Sequence, residues 1–253
     1  MTITIEQAIT AKGLRLIIVQ GAPSAWGQAA KAMIEYKGID FKMGYQEPGG
    51  SNEELLAWSG TNSGPVVAWE EEAPINRWDD ILLLLERIAP NKSLLPLGGK
   101  ERAAVMGLSH EICGQLGLGW NRRISLFAPA IESGQAPESL LNIATKYRYD
   151  SSELAINIER QINGLKLLAD TLTDQHANGS EYFVGKSVSA ADFYWAAFCD
   201  FFEIRSLEVI PIDPAFHSMF EMIEPEVKAA IDPILLEHRE RMINAHFKVP
   251  MEV

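Results

Sequence analysis

Leu14-Arg15-Leu16-Ile17-Ile18-Val19, followed at once by Gln20-Gly21-Ala22-Pro23-Ser24, is the stretch that decides the fold of this chain. The apolar run is short and rich in β-branched residues, and turn formers follow it, so the pair reads as a buried strand and its exit. From Trp26 to Tyr36 the residues Ala29, Ala30, Met33 and Ile34 recur at helical spacing, and Lys37-Gly38 supplies the cation and then the glycine that close a helix. Ile39 to Tyr45 alternates as a second strand. Strand, helix and strand in that order predict a β-α-β unit with parallel strands.

Outward from this unit, Gln46 to Asn52 reads as a loop and Glu53 to Trp58 as a short helix. Gly60-Thr61-Asn62-Ser63-Gly64-Pro65 then leads into a third strand, Val66-Val67-Ala68-Trp69. Glu70-Glu71-Glu72 is an acidic turn, and Ala73-Pro74-Ile75 tolerates a proline as a short edge strand does. Asp79-Asp80 opens a helix over Ile81 to Ile88, where acidic residues suit the positive end of the helix dipole. The order is βαβαββα, preceded by an extension of roughly a dozen residues. After the Pro/Gly cluster Leu95-Pro96-Leu97-Gly98-Gly99-Lys100, only helical periodicity remains: Glu101 to Phe127, Ser151 to Thr173, Ser189 to Glu203, Asp213 to Ile223 and Glu226 to His246. The chain therefore divides into an α/β domain over residues 1–92 and an all-α domain over residues 93–253.

Composition narrows the partners. A formal charge of −12 over 253 residues repels phosphate backbones and anionic lipid, so neither nucleic acid nor membrane is expected as a partner. The longest apolar run, Ile81 to Leu85, is far short of a membrane span, and the start of the chain lacks a secretory pattern, so the cytoplasm is expected. Cys113 and Cys199 lie in apolar helical patterns and read as reduced, buried thiols. The histidines His110, His176, His217, His238 and His246 show no ligand spacing, and no metal is expected.

Late in the chain, Gly185-Lys186-Ser187-Val188-Ser189-Ala190-Ala191-Asp192-Phe193 carries a complete helix start. Ser189 is a natural N-cap, Asp192 can return a hydrogen bond to it, and Val188 and Phe193 stand at the ends of a hydrophobic staple. The helix beyond is apolar nearly all round and must be buried.

The βαβαββα order, the turn and proline of Gly64-Pro65-Val66-Val67, and Gly-x-x-x-Ser-x-Ala-Asp at Gly185, Ser189, Ala191 and Asp192 together resemble the glutathione transferase superfamily. The similarity covers nearly the whole chain and implies a thioredoxin-like domain followed by a helical one. It also implies glutathione as co-substrate, a small-molecule electrophile as second substrate, and a homodimer. A cis bond is implied at Pro65, with Val66 offering backbone N–H and C=O to the cysteinyl part of glutathione. An ordinary trans proline entering a strand is the plain alternative.

The family places an acidic or amide residue followed by serine at the γ-glutamyl end. Here Arg77 and Trp78 stand at that pair, and neither matches. Arg77 suits a carboxylate, Trp78 brings bulk, and Asp79 would hold the α-amino group if the register is one residue off. Equally, all three can be a solvent-facing helix start. The activating hydroxyl implied after the first strand falls on Ser24, which donates to the glutathione thiolate in one reading and caps the next helix in the other. Counting back from Lys37-Gly38 instead reaches Gly27, which has no side chain. Trp26 would line the cleft. Trp120 and Arg123, in Gly117-Leu118-Gly119-Trp120-Asn121-Arg122-Arg123, read as an acceptor-site wall with a carboxylate clamp, as part of a subunit interface, or as a kinked core helix with solvated arginines. The alternative to an enzyme is a fold relative that binds a ligand or partner without catalysis, and a catalyst using another thiol is a third possibility.

Overall fold

The computed structural model describes residues 2–253. The chain forms two units. The first comprises residues 1–93, with 208–212 and 248–253 added to it; the second comprises 94–207 and 213–247. Two late segments thus belong with the α/β unit, where a single break near residue 92 was expected.

In the first unit, β1 (Leu14–Val19) is the centre of a three-stranded sheet. It pairs in parallel with β2 (Phe41–Gln46) and antiparallel with β3 (Val66–Trp69), Ile17 lying opposite Gly44 on one side and Val66 on the other. Ile75 continues the sheet beyond β3 as a single bridge to Val67, so the expected edge strand is reduced to one residue. The extension is structured: Thr2 bridges to Met43 on the outer edge of β2, and α1 (Ile5–Thr10) follows, started by a capping box between Thr4 and Gln7. Ile3, Ala8 and Leu55 pack in one core cluster with Ile17 and Val66, so the added segment closes an exposed strand edge while burying apolar surface.

Helix α2 (Ala25–Lys37) ends at Gly38, whose φ of 69° is the left-handed value a C-terminal glycine supplies. Lys37, expected as a cation near a helix end, is in fact buried, with its ammonium 2.7 Å from Glu86 and donating to the carbonyls of Ala89 and Lys92. It therefore ties α2 to the end of α4 (Trp78–Ile88). Helix α3 (Glu53–Ser59) lies between β2 and β3 in sequence.

The second unit is helical: α5 (Gly99–Cys113), α6 (Leu118–Glu132), α7 (Glu138–Lys146), α8 (Leu154–Ala177), α9 (Ala190–Phe198), α10 (Pro214–Glu221), α11 (Pro225–Ala229) and α12 (Pro233–His246). The expected helix over Glu101 to Phe127 is two helices. A side chain at Gly114 would stand 2.5 Å from His110 Nδ1, and one at Gly117 2.6 Å from the Glu111 carbonyl, so both glycines are required by a tight turn. Leu116 in that turn holds a φ of 65°. The helix expected over Glu226 to His246 is likewise divided at Pro233, whose ring is tolerated in a first turn capped by Asp232. Helix α7 was not foreseen. Every residue of α9 is buried, as its apolar composition requires.

Candidate functional site

The sheet topology gathers the first group of candidate residues at one end. Strand β1 runs directly into the Gln20–Ser24 turn and α2. The peptide bond between Gly64 and Pro65 is cis, immediately before β3. Gly64 lies close against β1: a Cβ there would stand 3.0 Å from the Ile17 carbonyl oxygen and 3.2 Å from Ile18 Cα. Gly27, in the first turn of α2, approaches the same residue, with a Cβ falling 3.1 Å from Ile18 Cγ2. Gly27 is thus a packing glycine, and the turn carrying Ser24 and the turn carrying Pro65 both abut Ile18. Ile75 is antiparallel to β3 and so runs with β1, delivering Arg77, Trp78 and Asp79 toward the same end.

Ser24 occupies the N-cap position of α2 with extended backbone angles, and its residue is 5% exposed. Its carbonyl accepts from the Gln28 N–H at 2.9 Å, but its hydroxyl makes no capping hydrogen bond. A hydroxyl free of the backbone at the positive end of a helix can donate to an anion there. Trp26, two residues further, is half-buried.

Val66 does not present its backbone outward. Val67 exchanges both of its main-chain hydrogen bonds with Ile75, so alternation along the strand turns the N–H and C=O of Val66 toward Ile17 on β1. The main-chain groups left over belong to Gly64, whose N–H and C=O have no partner among the described residues. Sequence reasoning missed Gly64, although its place before a cis-proline marks it as a residue that must come close to another backbone.

Arg77 is the N-cap of α4 and is exposed, but its guanidinium is already engaged. Nη2 and Nε donate to the two carboxylate oxygens of Asp79 at 2.7 and 3.1 Å, and Asp80 lies 3.4 Å away. Burial acts to raise the Asp79 pKa, yet Arg77 and the N–H groups of Asp79 and Asp80 outweigh it and hold the carboxyl below its usual range. Trp78 is the half-buried first residue of α4. The α4 start is therefore an acidic patch with its arginine neutralised.

Trp120 and Arg123 lie in the second unit, on α6. The ring of Trp120 is 4.7 Å from that of Tyr147, and the Arg123 guanidinium sits 4.7 Å from the centroid of Phe201. The neighbouring arginine is not solvated, contrary to one expectation. Arg122 is 1% exposed and donates to the carbonyls of Phe201 at 2.8 Å and Met222 at 2.5 Å, so it braces the core of the unit. A cavity of about 220 Å³ beside it is lined by Ser125, Leu126, Pro129, Met222, Ile223 and Glu224, none of them singled out by sequence.

The cysteines are ruled out as nucleophiles by position. Both are buried and neither forms a disulfide; Cys113 donates to the Ser109 carbonyl, and burial pushes the Cys199 thiol up to about 12. Among the described residues no cluster of His, Cys, Asp or Glu could hold a metal ion, and no helix is long and apolar enough to cross a membrane.

No protein-family model matches the chain, and no curated protein matches it by sequence. Solved structures do. A glutathione S-transferase from Methylobacterium radiotolerans, in complex with glutathione sulfonate, is 18% identical, with a TM-score of 0.63 over 92% of both chains. The β-etherase LigF from a Sphingobium species is 17% identical, with a TM-score of 0.59 over 90% of this chain and 99% of that one. A rice glutathione transferase in complex with glutathione is 17% identical, with a TM-score of 0.58 over 94% and 93%. With a thioredoxin-like unit around a cis-proline and a second unit built of helices, the chain has the glutathione S-transferase fold.

Proposed function

We propose that this protein is a glutathione-dependent enzyme of the transferase type, in which Ser24 activates the thiol. The observation that carries the reading is the Ser24 hydroxyl, which stands without a capping bond at the start of α2, the helix whose Gly27 packs on Ile18, the residue that Gly64 of the cis-Pro65 turn also approaches. A hydroxyl donating to sulfur there, in the field of the helix N-terminus, favours the thiolate over the thiol and lowers a thiol pKa from about 8.5 toward neutrality. The thiolate then attacks a small hydrophobic electrophile, forming the carbon–sulfur bond as the leaving group departs.

In this reading the cysteinyl backbone of glutathione pairs with the free N–H and C=O of Gly64 rather than with Val66, and Asp79 receives the α-amino group. Two of the solved neighbours hold glutathione or its sulfonate, which supports the choice of co-substrate. The same reading makes the protein a cytoplasmic homodimer.

One observation favours a second reading, a thiol other than glutathione or binding without catalysis. The γ-glutamyl carboxylate would meet Asp79 and Asp80, and the Arg77 fork that could neutralise it already holds Asp79. Calorimetric titration with reduced glutathione separates the two. Saturable binding in the micromolar to low millimolar range is expected; no heat together with no shift in melting temperature would overturn the glutathione reading.

A further inference from the structure

Pro129 lies inside α6 and has no N–H to give the carbonyl one turn back, that of Ser125. The helix runs on to Glu132, so the Ser125 carbonyl stays without its α-helical partner. The Ser125 side chain is also incompletely bonded. It is 3% exposed, its hydroxyl accepts from Gln161 Nε2 at 2.9 Å, and its own proton has no acceptor among the described residues. On α8, Gln161 Nε2 also donates to the Asn157 carbonyl at 3.1 Å, which fixes the amide and leaves Oε1 as a buried acceptor with nothing bonded to it. Asn157 is wholly buried, and neither atom of its side-chain amide has a partner. Polar groups this deep are normally met by protein, water or ligand.

Ser125 also lines the cavity of about 220 Å³. Leu126 and Ile223 supply apolar wall, and Pro129 and Met222 are exposed, so the cavity opens to solvent. At roughly 30 Å³ per water it holds about seven waters, or a short aliphatic chain with a polar head. Its charged group is Glu224. One carboxylate oxygen lies 3.5 Å from Arg122 Nη1, too far for a strong bond, and the other has no partner among the described residues. Arg122 is committed instead to the carbonyls of Phe201 and Met222 at 2.8 and 2.5 Å. Acceptors therefore dominate the lining, and one of them is charged. The formal charge of −12 likewise favours a cation over an anion.

We propose that this cavity of the helical unit, between Ser125 on α6 and Glu224 before α11, binds a short-chain primary alkylammonium. An ammonium brings three donors and no acceptor, which is what the lining lacks. It donates to the Glu224 carboxylate and the Ser125 carbonyl, and the second lone pair of the Ser125 hydroxyl takes the third proton. The chain packs on Leu126, Pro129 and Ile223, adding burial that a bare cation lacks. None of these groups takes part in the glutathione reading, so the two stand or fall separately.

The test is calorimetric titration of the full-length protein, without glutathione, with n-butylammonium, n-butanol and methylammonium. Saturable binding of n-butylammonium is expected. The alcohol keeps the chain and loses the charge, methylammonium keeps the charge and loses the chain, and each should bind more weakly by about ten-fold or more. Glu224→Gln should weaken n-butylammonium by about ten-fold or more and leave n-butanol unchanged. Pro129→Ala returns an N–H to the Ser125 carbonyl, so it should weaken n-butylammonium by a few-fold while the melting temperature rises, a pair of changes that a misfolded variant does not give. Absence of saturable n-butylammonium binding, equal affinity for n-butanol or for methylammonium, or affinity unchanged in both variants overturns the site.

Discussion

Ser189 precedes α9 and Ser24 precedes α2, each as the N-cap residue of a largely buried helix. The Ser189 N–H and hydroxyl both bond one carboxylate oxygen of Asp192, at 2.8 and 2.7 Å, inside a capping box. The other oxygen takes the Phe183 N–H at 3.0 Å and lies 3.1 Å from His238 Nε2. Ser24 has no such partner. The third helical position, which holds Asp192 in α9, holds Gly27 in α2, because a Cβ there would press on Ile18. The same residue at the same helix position is thus locked into a capping box in one unit and left without a capping bond in the other. What differs is the residue three places on.

The largest expected effect lies on the locked side. Asp192→Ala leaves the buried Ser189 and Phe183 N–H groups and the Ser189 hydroxyl without their acceptor and removes the carboxylate beside buried His238, which should cost about 3–5 kcal/mol of stability. A loss below about 1 kcal/mol, measured by chemical denaturation, would mean that the box is not what holds the start of α9.

On the open side the effect should appear in rate. Ser24→Ala removes a hydroxyl that makes no capping bond, so melting should change by no more than about 0.5 kcal/mol. Turnover with glutathione and a reactive aryl halide should fall by about ten-fold or more, roughly 1.4 kcal/mol of barrier. A stability loss of about 1 kcal/mol with unchanged turnover would make Ser24 a cap like Ser189 and end the comparison.

The contrast also explains what could be read from sequence. The α9 start was legible because its partners are local: Ser189, Asp192 and an apolar helix stand in one short segment. The β-α-β unit was legible for the same reason. The split between α5 and α6 was not, since the fit of Gly114 against His110 and of Gly117 against Glu111 exists only once the turn has formed. Helix α7 was legible and was missed: Leu140, Ile143, Ala144 and Tyr147 stand at helical spacing, in a stretch of only nine helical residues. Of the candidate site, the N-cap position of Ser24 and the cis bond at Pro65 were legible, but the hydrogen bonding was not. That Val66 faces Ile17, and that Asp79 closes the Arg77 fork, depend on pairing across strands and on side-chain reach.

Ser189→Ala probes the locked serine alone. Asp192 keeps the N–H bonds from Ser189 and Phe183, so only the hydroxyl's share is lost, about 1 kcal/mol. For a chain of this size that is a fall of roughly 2–4 °C in melting temperature. Glutathione affinity per folded molecule should be intact, and a selective loss of affinity would show that the cap reaches the ligand.

The smallest stability effect is expected at Gly27, where the two sides of the comparison meet. Gly27→Ala improves helix propensity by about 1 kcal/mol. The new methyl would sit 3.1 Å from Ile18 Cγ2 and 3.3 Å from Ile18 Cβ, and this crowding offsets much of that gain. Melting should therefore move less than in Ser189→Ala. The first turn of α2 must nonetheless shift by a few tenths of an ångström to admit the methyl, and it carries Ser24 with it. A hydroxyl that positions a thiolate is sensitive to that shift, whereas a passive one is not. The expected outcome is a fall in kcat of a few-fold with KM for glutathione unchanged. If kcat also stays constant, the placement of Ser24 has no bearing on the chemistry, and the open serine loses the role that its free hydroxyl suggests.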